Sequence, residues 1–377
     1  MKEFDFSSIN KSTLLLIFVL MLLVNIRADE ADHQKDKIKK GEEEMAKADI
    51  KGPLPSEKPN EGQKAMIARR YGMFIHFGIN TFHDEEWTDG SKPANSYNPK
   101  TLDVKQWVTV AREAGMNCVI QVTKHIDGFC LWDSPMTTYD IGSSPNPTNV
   151  VDALASECKK QGIGYGIYYA LWDRKQNPNS KEPKDDMAYN QYTLKQIEEL
   201  MLIAGKHGPG VELWLDGSWV KPNTRWPLEE IYACVKKLQP QCQISTNWTI
   251  GFPDKIDDMC HSSQQKEGFP IRYFPSDFRL GDPELPNNPD PKIFTHDGKK
   301  YYLPWESTVC LSEKWFFNTK DHKYKTLDDL EKLYIRATAQ DNILIFNCPP
   351  NREGQMREID AKILKDLGEK LGISPKH

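Results

Sequence analysis

From residue 71 onward, short apolar runs that end in polar residues alternate with longer stretches in which apolar positions recur every three or four residues. The short runs predict buried strands, and the longer spacing predicts amphipathic helices. Strands are expected at "MFIHFGIN" (73–80), "CVIQVTKH" (118–125), "GYGIYYAL" (164–171), "VELWLDG" (211–217), "CQISTNW" (242–248), "YYLPWEST" (301–308) and "NILIFNCPP" (342–350). Helices are expected around 102–115, 149–161, 188–207, 226–238, 326–340 and 358–371. Strand and helix in alternation imply a parallel sheet. No glycine-rich phosphate loop follows the first strand, which favours an α/β fold of the (β/α)8-like TIM barrel type, with one strand or helix degenerate, over a doubly wound sheet.

Three segments break the rhythm. "TLLLIFVLMLLVNI" is unbroken in its apolar character only from Leu14 to Val24, about half of the roughly 20 residues a spanning helix needs. With Lys2 and Lys11 beside it and a cut near Ala28, residues 1–28 read as a signal peptide of a secreted or periplasmic protein, with no stable membrane insertion after cleavage. Residues 29–60 are charged and closed by prolines, and read as a flexible arm ahead of one barrel domain over 61–377. Phe252 to Lys300 is long, polar and rich in proline, the kind of loop that carries function in a compact domain.

Composition narrows the partners. Forty-nine Lys and Arg against 54 Asp and Glu leave a net charge of -5, so no broad positive field exists for nucleic acid. Ten Trp and 14 Tyr suit aromatic-lined clefts. Of eight cysteines, none forms a C-x-x-C pair. Cys118, Cys130 and Cys158 lie in apolar runs as buried thiols, while Cys234, Cys242, Cys260, Cys310 and Cys348 leave one or two bridges open.

His76, His125, Tyr168, Asp216, Asn247 and Glu306 all fall at or just beyond the C-terminal end of an expected strand, and in a barrel those ends share the catalytic face. Within 211–217, Val211, Leu213 and Leu215 alternate with Glu212, Trp214 and Asp216, so the second set points inward or upward. Asp216 then either caps the following helix, pairs with a cation, or acts as nucleophile or base beside rings suited to the apolar face of a sugar. Glycoside cleavage needs a second carboxyl group, about 5 to 5.5 Å away for retention and further for inversion. Glu306, beside Trp305, and Glu284, in the long loop, compete for that role. No H-x-H, H-E-x-x-H or spaced carboxylate cluster accompanies His76 and His125, so no metal or cofactor is expected, and neutral histidines bonding sugar hydroxyls are.

At these residues the chain resembles the α-L-fucosidases of glycoside hydrolase family 29. The matching stretches are "YGMFIHFGINTF", "EEW" (85–87), "TKHIDGFCLWDSPMTTYDI", "GIGYGIYYALWD", "YTLKQIEELMLIAG" with "ELWLDG", "PWESTVCLSEKWFF" and "DNILIFNCPPNREGQM". The resemblance implies a retaining exo-α-L-fucosidase that acts on a fucosylated oligosaccharide or glycoconjugate, with Asp216 as nucleophile. It implies an acid/base at Glu306 or, as in the α-1,3/1,4-specific branch, at Glu284. His76, Glu86, Trp87, His125, Tyr168 and Trp214 would line the fucose pocket. Two departures stand out: Ile126 replaces a sugar-binding histidine, and Asn247 stands where many members have an arginine, for which Arg279 is the candidate substitute. The chain stops soon after the last expected helix, so no C-terminal β-sandwich is expected, and the sequon at Asn247 is expected to be unused.

Overall fold

A computed structural model describes residues 50–177, 187–221, 224–252 and 259–375. The signal-peptide segment and most of the expected arm lie outside the described residues.

Seven strands form one curled parallel sheet: β1 (Tyr71–Ile75), β2 (Cys118–Lys124), β3 (Gly164–Ala170), β4 (Glu212–Asp216), β5 (Gln243–Thr246), β8 (Glu306–Cys310) and β9 (Ile343–Asn347), ordered β5-β4-β3-β2-β1-β9-β8. Every residue of β1, β2, β5, β8 and β9 is buried, as expected of parallel strands covered on one face by helices and filled on the other by side chains. Helices α1 (Glu61–Arg69), α2 (Val104–Glu113), α3 (Val150–Gln161), α4 (Met187–Gly205), α5 (Leu228–Leu238), α6 (Leu327–Ala337) and α7 (Glu358–Lys370) cover the sheet. Their starts are written locally: the Asp103, Asn149 and Thr326 side chains accept from the first-turn backbone of α2, α3 and α6, each removing an orphan donor.

The degenerate strand is identifiable. Between the two edge strands run residues 277–280, in which Asp277 N donates to Ile244 O (2.7 Å) and Arg279 N to Pro304 O (2.8 Å), while Glu306 N donates to Arg279 O (3.0 Å). These bonds tie β5 to β8 across the open side of the sheet, giving it a barrel-like curl.

Three expectations need correction. The strand expected over 301–308 is two elements: β7 (Lys299–Tyr302) pairs antiparallel with β6 (Ile293–His296) in a hairpin, and β8 starts only at Glu306. Pro304 between them lacks the N–H that a continuous strand would use. Glu306 therefore opens a strand instead of closing one. The distal part of the expected arm is tied down, because Ser56 N donates to Lys300 O (2.9 Å) and Tyr302 N to Ser56 O (2.7 Å). Helix α1 lay within the expected barrel domain but was not anticipated, although Asn60 and Gln63 form a capping box at its start. All eight cysteines are free thiols, so neither of the bridges left open forms.

Candidate active site

Asp216 ends β4 in register with Ala170 of β3. Gly217 follows with φ 76, a left-handed turn glycine makes without Cβ strain, and the chain bends back so that Trp219 reaches the aspartate. Its carboxylate accepts from Tyr168 OH (2.7 Å), Trp219 Nε1 (3.0 Å) and Asn247 Nδ2 (3.0 Å). Three donors from three segments fix the orientation of both oxygens.

Asn247 does more than hold Asp216. Its Oδ1 accepts from Trp248 N (2.9 Å) and Asp282 N (3.4 Å), which forces Nδ2 toward the carboxyls, and Nδ2 also donates to Asp282 Oδ1. Two acceptors on one amide nitrogen lie on the order of 5 Å apart. Burial first, and then the neighbouring Asp216, push the Asp282 carboxyl up to about 7. Asp282 reaches this position because it directly follows the 277–280 segment and so emerges at the same end of the sheet as Asp216.

Phe74, His76, Trp87, His125, Tyr168, Trp214, Asp216 and Asp282 share a cavity of about 230 Å³ with Trp219, Asn247, Trp248, Met259, Pro283 and Trp315. This is below the roughly 300–1,000 Å³ of pockets for drug-sized ligands and matches one sugar ring. Trp214 and Tyr168 stack with centroids 5.5 Å apart at 26°, and His125 stacks on Tyr168 at 5.9 Å, building an aromatic wall. Burial pushes both His76 and His125 down to about 3, so both are neutral near neutrality. Asn347 donates Nδ2 to Trp315 O (2.7 Å), so its Oδ1, 2.7 Å from His76 Nδ1, is an acceptor. The proton therefore sits on His76 Nδ1, and Nε2 keeps its lone pair. His125 Nδ1 lies 3.4 Å from Asn80 Nδ2, an amide nitrogen that also donates to Glu86 O and Asp127 Oδ2. Each neutral imidazole offers one donor and one acceptor, a set suited to hydroxyl groups.

The remaining expected residues fall into different places. Trp87 lies at the rim, 51% exposed, with its ring 6.0 Å from that of Trp219. Glu86 stands behind the wall, where Oε2 accepts from Trp315 N (3.0 Å), and it positions that tryptophan. Glu284 turns from the cavity to His261 Nδ1 and to Ser262 N (2.5 Å). Glu306 does not line the cavity. It lies at the opposite end of the sheet, where its register partner is Ile343 at the start of β9, and Trp214 lies between it and the opening. Arg279 is fully buried and bonds Asp290 Oδ2 (2.7 Å), Gln265 Oε1 (3.0 Å) and Leu303 O (3.0 Å) beneath the hairpin, so it cannot substitute for an arginine at the sugar site. Ile126 is buried, its Cγ2 facing Gly217. Asn247 is 2% exposed, closed to glycosylation. Asp282, Trp219, Asn347 and Asn80 were missed. "WLDGSW" carried a signal for Trp219; Asp282 had none beyond its place in the long loop. No group of three or more His, Cys, Asp or Glu is placed to hold a metal among the described residues, and no described helix is long and apolar enough to cross a membrane.

A curled parallel sheet with two carboxyls and an aromatic wall at the C-terminal ends of its strands is the arrangement expected of a barrel-type glycoside hydrolase. Residues 41–374 match the Alpha-L-fucosidase family model, and the chain belongs to that family of glycoside hydrolases. Alpha-L-fucosidase 1 of Arabidopsis thaliana is 30% identical over 331 residues, 84% of this chain and 60% of that protein. The chain thus spans about three fifths of that relative's length. A crystal structure from Bacteroides ovatus ATCC 8483 is 26% identical with TM-score 0.65, over 82% of this chain and 55% of that one. Alpha-L-fucosidase isoenzyme 1 from Paenibacillus thiaminolyticus, 23% identical, shares the fold with TM-score 0.64 over 83% and 75%.

Proposed function

We propose that the protein is a retaining exo-α-L-fucosidase acting on terminal fucosyl groups of an oligosaccharide or glycoconjugate. The observation that carries the reading is the pair of aspartates, Asp216 and Asp282, bonded to one Asn247 amide at a cavity sized for one sugar. The Asp216 carboxylate attacks the anomeric carbon as the bond to the leaving oxygen breaks, and Asp282 gives its proton to that oxygen. Asp282 then takes a proton from water, which attacks the anomeric carbon and frees Asp216. A carboxyl raised to about 7 keeps about half of its population protonated at pH 7, and the first step draws on that form. Support for fucose over a hydroxymethyl sugar comes from the family and from the apolar lining by Phe74 and Trp214, which suits a methyl group.

Incubation with 4-nitrophenyl α-L-fucoside, followed by NMR of the first-formed sugar, tests the reading. Release of α-fucose, abolished in Asp216→Ala, is expected; β-fucose as first product, or binding without turnover, contradicts it. We further propose, from residues 1–28 alone, that the protein is exported. N-terminal sequencing of the mature chain is expected to start near residue 29, and an intact Met1 overturns this.

A further inference from the structure

Beneath Trp214 the sheet interior holds a second pair of carboxyls that the reaction does not use. Trp214 Nε1 donates to Glu306 Oε1 (3.1 Å), and Arg69 donates to Glu212 Oε2 (2.9 Å). The two glutamates are hydrogen-bonding neighbours, yet Glu212 Oε1 and Glu306 Oε2 meet no donor among the described residues. One proton on Glu306 satisfies both, since a protonated carboxyl donates through one oxygen while accepting through the other. Glu306 is 1% and Glu212 1% exposed, so water does not supply that donor from solvent.

We infer that Glu306 is a positioning residue: a neutral carboxylic acid that locks the Trp214 indole as the floor of the sugar cavity. The inference rests on the proposed fucosidase reading. The chain of contacts runs from Arg69 to Glu212, Glu306 and Trp214, and from the Trp214 ring by stacking to Tyr168, whose hydroxyl holds Asp216. It fixes the floor without placing a net charge beneath the sugar, since Arg69 balances the Glu212 carboxylate. Burial and the adjacent Glu212 hold the Glu306 carboxyl well above the ordinary carboxylate range, in keeping with that state.

Glu306→Gln and Glu306→Met separate this role from proton donation. The amide can still accept from Trp214 and donate to Glu212, so Glu306→Gln is expected to keep kcat/KM within about threefold on both 4-nitrophenyl α-L-fucoside and a fucosyl disaccharide, with an unchanged pH profile. Glu306→Met fills the space but leaves the indole unanchored, and is expected to lose about tenfold in kcat/KM, chiefly through KM and equally on both substrates. A Glu306→Gln loss on the disaccharide, with the aryl fucoside turned over as by wild type, would make Glu306 the acid and overturn the inference. So would Glu306→Met with wild-type constants. If the Met variant fails to fold, the Gln variant still decides. Loss of all turnover in Asp216→Ala and wild type alike would instead sink the fucosidase reading.

Discussion

Strand β4 carries an acid at each end, and the two ends behave differently. Asp216 and Glu212 lie about 13 Å apart along the strand, on the same face, with Trp214 between them. Each faces a second carboxyl: Asp282 at the open end and Glu306 at the closed one. At the open end the pair shares a neutral amide donor and borders a cavity with two neutral histidines. At the closed end the pair is sealed, one proton short of two charges, and balanced by Arg69. What separates the proposed catalytic pair from the sealed one is a cavity beside it and a donor that leaves both carboxyls accessible.

Replacing the acids one at a time should separate the ends. Asp216→Ala is expected to lower kcat by at least about 10⁴-fold, measured on the aryl fucoside. Asp282→Asn is expected to cost about 10² to 10⁴-fold on a disaccharide and far less on an activated aryl fucoside, which needs little proton assistance. The wild-type kcat/KM should fall as pH rises through about 7, since the proposed acid, Asp282, is needed in its protonated form and loses it there. Asn247→Ala is expected to cost about tenfold. It should also move that alkaline limb upward, because the Asn247 donor favours the ionised form of Asp282.

The smallest effect belongs to the closed end and has the opposite sign. Unfolded, Glu306 ionises near its ordinary value of 4.5; folded, burial keeps it protonated. Its contribution to stability is full below about 4.5 and is lost as pH climbs toward the raised folded value. Glu306→Gln carries no such loss, so its Tm is expected to exceed that of wild type by roughly 2 °C at pH 8, with the gap closing toward pH 4. An equal Tm at both pH values would contradict a protonated Glu306.

Much of this was legible in the residues. Periodicity placed five of the seven sheet strands nearly where they lie, because each is a short apolar run between amphipathic helices, while the run expected at 73–80 shares only residues 73–75 with β1. The alternation in 211–217 correctly set Glu212, Trp214 and Asp216 on the inner face. Glu306 misled for a physical reason: "YYLPW" is apolar throughout and runs straight into "EST", so periodicity could not show that Pro304 divides a surface hairpin from a buried strand. The division moves Glu306 from the exit of a strand to its entrance, about the full length of the strand. Asp282 was illegible because 277–280 is held to β5 and β8 by main-chain bonds and by the Asp277 and Ser245 side chains, and has no strand pattern of its own. Arg279 misled likewise, since its salt bridge to Asp290 beneath the hairpin is a long-range contact with no local signature.

The central claim, that Asp216 and Asp282 form the reacting pair, is tested most directly by azide rescue of Asp282→Ala on the aryl fucoside. Azide entering on the face vacated by the acid/base should restore turnover and yield α-L-fucosyl azide. No rescue in this variant, or a β-configured product, would contradict the account.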